Sequence, residues 1–171
     1  MGKRDSYYIV EGDPAKPRDK VNDWELATRL SYFLWSSLPD KALTEAASKG
    51  ELHRPEVLGA QLTRMLTDPK TARFTDAFPR QWLQLHKVGM FPPDMDLYPD
   101  YDKWLEQCMA LETTKFFNEV FENNLSLREF LVSDWTVMNS RLALHYQMPA
   151  LQKAGFQRVV LQPQDHRGGV L

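Results

Sequence analysis

The stretch DYDKWLEQCMALETTKFFNEVFENN, residues 100–124, decides the fold because its pattern predicts the longest helix of the chain. At 100° per residue, its apolar side chains fall on one wide stripe. Asp100 or Asp102 is suited to cap the start, and Asn123-Asn124 suits the end. A helix with so wide an apolar stripe is expected to pack against two or more others. The stripe contains Trp104, Leu105, Cys108, Met109, Phe116 and Val120.

One glutamate, Glu112, projects into the middle of this apolar stripe. A buried carboxylate is costly unless it is paired or protonated. The position therefore favours a buried structural pair with an arginine of another helix. Arg29 is the first candidate partner and Arg64 the rival. The alternative is a general acid or base, but no second carboxylate, histidine or nucleophile at a suitable spacing supports it.

Helical periods continue on both sides of this stretch, and convincing strands are few. Residues 86–99 form a loop by composition, and its large apolar side chains are expected to pack over the core. Pro79 lies inside the fourth helix and predicts a kink or a break there. The class is mainly α: an irregular or orthogonal bundle of about six or seven helices, with at most one or two short strands near the termini. Helices are predicted at 24–37, 41–49, 55–67, 70–85, 100–124, 127–133 and 140–147.

The composition and charge of the chain argue against several classes of function. Of 171 residues, 43% are apolar and 12% aromatic, which indicates a globular chain of one domain, with or without extensions. The net charge of −2, with both signs interspersed, gives no electrostatic footprint for nucleic acid or an anionic membrane. No run of 18 apolar residues predicts a membrane span. Cys108 is the one cysteine, so a CxxCH haem attachment is impossible and no cofactor is predicted in this chain.

Weaker candidates lie near the last helix. Arg141 and His145 are one turn apart on the same face and could hold an anion, although an ion pair of Arg141 with a nearby carboxylate such as Asp134 is favoured. His145 and Met148, or His86, are also residue types that ligate haem or a metal. The competing interpretation of His145 is a histidine at a helix C-terminus, where positive charge is favoured.

Five tryptophans raise the question of sugar stacking. Four of them lie on helical apolar faces, and core packing is expected for those. Trp135 lies in a predicted connector, residues 134–138, and is the candidate exception. The four on apolar faces are Trp24, Trp35, Trp82 and Trp104.

Five blocks in order carry a family resemblance. They are WELATRLSYFLWSSLPDKAL (24–43), LTRMLTDPKTARFTDAFPRQWLQL (62–85), LYPDYDKWLEQCMALETTKFF (97–117), DWTVMNSRLALHYQMP (134–149) and HRGGVL (166–171). Together they resemble a helical domain of unknown function found in large planctomycete and verrucomicrobial proteins. The resemblance covers roughly residues 6–171. Such proteins usually carry cytochrome-c-like modules as well.

The resemblance implies a domain order and a location. Residues 1–21 are expected to be a lead-in segment joining an upstream module, 22–149 the helical domain, and 150–171 an extension that starts a following domain. Haem c is expected elsewhere in the full-length protein, which the resemblance places in the periplasm or outside the cell. The flanking domains of the same polypeptide are the expected partners, with a redox partner as a further candidate.

Three functional hypotheses follow. The favoured one is a non-catalytic helical scaffold or interaction module of a larger cytochrome-c-linked protein. The second is a carbohydrate- or polymer-acting enzyme domain with Glu112 as acid or base. The third is a non-covalent haem or metal binder that uses His145 and Met148.

Overall fold

The computed structural model describes residues 20–170 of the chain. The predicted lead-in segment, 1–21, lies almost entirely outside the described residues. The chain separates into two compact units, Met1–Phe74 and Thr75–Leu171.

The predicted mainly α class is confirmed. Within residues 20–170, six α-helices and one antiparallel pair of short strands make up the regular structure, together with single turns of 3-10 helix. The helices are α1 (Asp23–Trp35), α2 (Lys41–Ser48), α3 (Pro55–Leu66), α4 (Ala72–Trp82), α5 (Lys103–Glu122) and α6 (Ser140–His145). The strands are β1 (Trp135–Met138) and β2 (Gln157–Val160). The 3-10 turns are Pro69–Thr71, Leu85–Lys87, Leu127–Phe130 and Pro163–Asp165.

The first unit is built on α1, whose start is closed by a capping box. The Asn22 side chain accepts a hydrogen bond from the Glu25 amide, and the Glu25 carboxylate accepts one from the Asn22 amide. Ser36, at φ 48°, ends the helix in the left-handed conformation. The apolar face of α1 contributes to a buried cluster consisting of Ala27, Leu34, Trp35, Leu43, Ala46, Ala47, Leu52 and Met65.

An ion pair joins the start of α2 to α3 in this unit. Asp40 caps α2 by accepting from the Leu43 amide at 3.0 Å, and the Arg64 guanidinium donates to both carboxylate oxygens, at 2.7 and 3.1 Å. Burial by itself would raise the pKa of Asp40. The hydrogen bonds from Arg64 and from the Leu43 amide outweigh burial and hold that pKa below its usual value of 3.8.

Asp40→Asn is expected to lower the free energy of unfolding by about 1 kcal/mol at pH 7. Asparagine still accepts from the Leu43 amide, so the loss isolates the charge of Asp40. Because folding lowers this pKa, the stabilisation is present above pH 3.8 and is lost as the pH falls through the folded-state value. Urea unfolding followed by circular dichroism, at pH 7 and at about pH 2, measures both limits.

Glu45→Gln is the matched control in the same unit. Glu45 pairs with Lys41 at 3.8 Å, and both side chains are more than half exposed. Its loss is expected to change stability by less than about 0.5 kcal/mol at either pH. An Asp40→Asn loss of the same size in acid as at neutral pH would contradict the assignment.

The second unit is organised around α5, which β1 and α6 contact. The two strands run antiparallel, with Trp135 opposite Val160 and Met138 opposite Gln157. All four residues of β1 are buried, whereas burial alternates along β2. Residues 134–138 were predicted to be a connector, and that prediction is wrong, since β1 lies there. A strand that is buried throughout lacks the alternation of apolar and polar residues that marks a strand in a sequence.

The single cysteine belongs to the core of this unit. Cys108 is fully buried in a cluster with Leu105, Met138, Leu142 and Ala143. Its Sγ accepts a hydrogen bond from the Asn139 side-chain amide at 3.1 Å. Asn139 also caps α6, so one residue fixes the start of α6 and contacts α5.

Of the kink or break predicted at Pro79, the break is not found, since α4 runs three residues beyond it to Trp82, and the kink stays a prediction. Two expectations about packing are wrong. The side chains of the loop 86–99 do not cover the core, and Phe91 is 89% exposed. Trp104, predicted on the core face of α5, is 52% exposed. A helical period defines a stripe, but neighbouring elements decide how much of that stripe is covered.

Candidate functional site

Glu112 lies in the interior of α5 and is 7% exposed, which is the burial predicted from its place in the apolar stripe. Three donors from three other parts of the second unit contact its carboxylate. The Thr136 hydroxyl of β1 donates at 2.9 Å and the Tyr146 hydroxyl, just after α6, at 2.7 Å. The Arg167 guanidinium donates at 3.1 Å and supplies the opposite charge. This buried carboxylate cluster is the candidate site.

The cluster keeps Tyr146 protonated as a donor. Burial and the adjacent Glu112 carboxylate both raise the pKa of Tyr146. The Arg167 guanidinium lies over the Tyr146 ring, 3.6 Å from its centroid, in addition to pairing with Glu112. Both carboxylate oxygens therefore accept hydrogen bonds from groups that stay protonated at neutral pH, an arrangement typical of a structural ion pair.

The predicted partners of Glu112 were Arg29 and Arg64, and that assignment is wrong. The ion pair found for Glu112 is with Arg167. Arg64 instead pairs with Asp40 in the first unit, and Arg29 is exposed. The helical period correctly predicted a buried carboxylate. It carries no information on which distant segment supplies the cation.

Residues 167–170 follow a tightly fitted path against the segment that precedes β1. The Gly169 amide donates to the Ser133 hydroxyl at 3.0 Å, and the Val170 amide donates to the Phe130 carbonyl at 2.9 Å. A Cβ atom on Gly168 would lie 2.7 Å from the Ser133 carbonyl oxygen, and one on Gly169 2.6 Å from the Leu131 carbonyl oxygen. Gly169 also has φ +69°, in the region that favours glycine.

A second buried carboxylate on α5 was missed by the sequence analysis. Glu106 is 9% exposed and contacts the Lys103 ammonium and the Tyr101 hydroxyl. Burial and the neighbouring Glu106 raise the pKa of Tyr101. Glu106 lines a cleft of about 260 Å³ together with Arg80 and other residues. It too is a paired carboxylate.

Arg141 and His145 line a cleft of about 570 Å³ with Asp102 and other residues. Arg141 was expected to pair with a nearby carboxylate such as Asp134. It does pair with a carboxylate, that of Asp102 at 3.2 Å, and it also contacts the Asp100 carbonyl, so Asp134 as the partner is wrong. The carboxylate that caps α5 thus connects α5 to α6. A hydrogen bond from the Leu105 amide holds the pKa of the Asp102 carboxyl below its usual value, and the hydrogen bond from Arg141 lowers that pKa further.

His145 and Met148, the candidate haem ligands, have different surroundings. His145 is exposed at the end of α6, with its ring 5.2 Å from that of Tyr146. Met148 is partly buried and packs against the cluster that contains Leu105 and Leu142. Among residues 20–170, no group of three or more His, Cys, Asp or Glu side chains is placed to hold a metal ion. Haem ligation by this pair stays a prediction.

Trp135 is a core residue, not the exposed exception that its connector position suggested. It is 2% exposed and stacks on Phe116, with centroids 4.2 Å apart and planes 9° apart. Its indole N–H donates to Glu129 at 2.8 Å, and the Arg158 guanidinium lies 4.2 Å from the ring centroid. A sugar cannot stack on a ring covered in this way.

The fold is mainly α, and the helix around which the second unit is organised, α5, carries a buried carboxylate that accepts hydrogen bonds at both oxygens. No helix in the described part of the chain is long and apolar enough to cross a membrane. Residues 21–148 match the model of the family described as PSD4, protein of unknown function (DUF1592), and the chain belongs to that family. The matched range includes Glu112, Thr136 and Tyr146 and ends before Arg167. No curated protein and no solved structure matches the chain.

Proposed function

We propose that this chain is a non-catalytic helical scaffold and interaction module of a larger secreted or periplasmic protein linked to cytochrome c. The family match supports a domain without an assigned reaction. The sequence resemblance supports the cytochrome-linked setting. The chain has no CxxCH, so no residue of it is assigned a role in electron transfer.

The observation that carries the interaction role is the apolar loop, residues 90–98. Five of its nine residues are large apolar side chains that are each more than half exposed. Exposed apolar surface of this kind is typical of a protein contact, because leaving it in water is costly. The neighbouring modules of the same polypeptide are the proposed partners. The five residues are Met90, Phe91, Met95, Leu97 and Tyr98.

The bonding of Glu112 supports the non-catalytic part of the proposal. A general acid or base needs a proton to exchange with a substrate within hydrogen-bonding reach. Both oxygens of Glu112 are already occupied by Thr136, Tyr146 and Arg167. A substrate would have to displace a buried hydroxyl or the guanidinium to reach this carboxylate.

Photo-cross-linking tests the proposal in the native polypeptide, expressed in its own cells. A photoreactive phenylalanine analogue in place of Tyr98 is expected to form cross-links to another module of the same polypeptide, identified by mass spectrometry. Fractionation and haem staining are expected to find the cross-linked polypeptide outside the cytoplasm and with covalent haem. A native polypeptide that contains no other module, or cross-links to none, overturns the proposal.

Phe91→Ser is expected to reduce the yield of those cross-links at least about fivefold, because an aromatic side chain at an interface contributes strongly to binding. The free energy of unfolding is expected to change by less than about 0.5 kcal/mol, since Phe91 is 89% exposed. Quantitative mass spectrometry of the cross-linked peptides measures the first effect, and urea unfolding the second.

Leu127→Ser is the control for Phe91→Ser. Leu127 is 77% exposed and lies outside the apolar loop, so its replacement is expected to leave the cross-link yield unchanged. Equal yields from wild type and Phe91→Ser would remove the apolar loop as the contact surface.

A further inference from the structure

Residues 167–170 lie in a groove of the second unit, which they contact through the Arg167 side chain, two glycines and two backbone amides. This groove, named the Arg-Gly-Gly groove, is formed by Glu112 and Tyr146 at one end and by the backbone of residues 130–133 at the other. The occupant contributes a guanidinium, two glycines and two backbone donors. Each of these groups meets a specific feature of the groove.

The arginine end recognises a planar cation. Arg167 donates to Glu112 at 3.1 Å while its guanidinium lies 3.6 Å from the centroid of the Tyr146 ring. A flat guanidinium can stack and pair at the same time, whereas a lysine ammonium lacks the planar surface. The groove therefore distinguishes arginine from lysine.

The glycine end recognises the lack of a side chain. The atoms that a Cβ would meet at Gly168 and Gly169 are carbonyl oxygens of Ser133 and Leu131, at 2.7 and 2.6 Å. Backbone atoms cannot turn aside as the end of a flexible side chain can. The left-handed φ of Gly169 adds a second restriction at that position.

The remaining contacts are of the kind that hold an extended peptide. The Gly169 and Val170 amides donate to the Ser133 hydroxyl and the Phe130 carbonyl. Residues 166–168 are exposed, and the side chain of Arg167 is 34% exposed. The occupant thus lies on the surface of the second unit and can leave without opening the cluster around Leu105 and Cys108.

We propose that the Arg-Gly-Gly groove is a peptide-recognition site for Arg-Gly-Gly segments. Residues 167–170 fill it as an intramolecular ligand, and an Arg-Gly-Gly segment of another polypeptide replaces them. This inference goes beyond the scaffold role and does not depend on the apolar loop, so either can fail while the other stands.

The test uses the 171-residue chain with Arg167→Ala and Gly169→Ala, whose own segment no longer fits the groove. A fluorescent peptide with the sequence of residues 165–171, DHRGGVL, is titrated against it by anisotropy. The peptide is expected to bind this variant at least about tenfold more tightly than wild type, because the wild-type segment competes at a high effective concentration. Peptides carrying Gly169→Ala or Arg167→Lys are expected to bind at least about tenfold more weakly than DHRGGVL.

A scrambled peptide of the same composition controls for charge attraction. No binding of DHRGGVL to the variant at about 1 mM, or equal binding of the scrambled or Gly169→Ala peptide, overturns the proposal. A second measurement does not depend on the variant. In ¹⁵N-labelled wild type, excess DHRGGVL is expected to shift the Gly169 amide resonance to the position of a free peptide. A Gly169 resonance unaffected by saturating peptide also counts against exchange.

Discussion

Replacing Trp135 by alanine is expected to lower the free energy of unfolding by about 4 kcal/mol. The ring is 2% exposed, stacks on Phe116 and lies beside the Arg158 guanidinium. Its removal creates a cavity at the contact of β1 with α5 and leaves Glu129 without the indole donor. Urea unfolding followed by far-ultraviolet circular dichroism measures the loss without relying on tryptophan fluorescence.

Two further tryptophan variants test whether the loss of stability comes from the buried position of the Trp135 ring. Trp104→Ala, on α5 in the same unit, removes a ring that is 52% exposed and is expected to cost less than about 1.5 kcal/mol. Trp135→Phe keeps an aromatic ring on Phe116 but loses the indole N–H, and an intermediate cost of about 1–2 kcal/mol is expected. If Trp104→Ala costs as much as Trp135→Ala, the described core of the second unit is incorrect.

Glu112→Ala is expected to lower the free energy of unfolding by about 3 kcal/mol. The substitution leaves the Thr136 and Tyr146 hydroxyls buried without their acceptor and removes the partner of Arg167. Arg167→Ala is expected to cost less, about 1 kcal/mol, because Glu112 keeps the Thr136 and Tyr146 donors and the position of the one-third-exposed Arg167 side chain lets water reach the carboxylate. Thermal and urea unfolding of the two single variants and the double variant give the coupling between them.

Glu112→Gln separates a structural role from a catalytic one. Glutamine still accepts from one hydroxyl but loses the charge, and a cost of about 1–2 kcal/mol is expected. Glu119→Gln, on the same helix, controls for loss of a more exposed pair, Glu119 with Arg158 at 3.5 Å. It is expected to cost less than about 0.5 kcal/mol. Unchanged stability in Glu112→Gln would refute the structural role and revive the acid–base hypothesis.

Features that depend on local sequence could be predicted. The helices are encoded by apolar periods of 3.6 residues, and the start of α5 by Asp102, one of the two expected caps, which accepts from the Leu105 amide three positions on. The burial of Glu112 followed from the same count along α5. These are short-range properties, so one sequence is sufficient to find them.

Features that depend on distant segments could not be predicted. Arg167 lies 55 positions from Glu112, and no period connects the two. Thr136 and Tyr146 were missed for the same reason, although a buried carboxylate does require donors from somewhere. The strand β1 was missed because uniform burial removes its alternation. The exposure of Trp104 and Phe91 depends on which elements cover them.

The rate at which Cys108, the one cysteine of this chain, reacts with a thiol reagent reports how often the second unit opens locally. Cys108 is fully buried, and its sulfur accepts a hydrogen bond from the side-chain amide of Asn139, the residue that caps α6. A thiol reagent can modify it only after α5 and α6 separate locally, so the modification rate follows the opening equilibrium when reclosing is fast. The same sulfur therefore allows each substitution in this unit to be ranked by chemical kinetics, under native conditions and without denaturant.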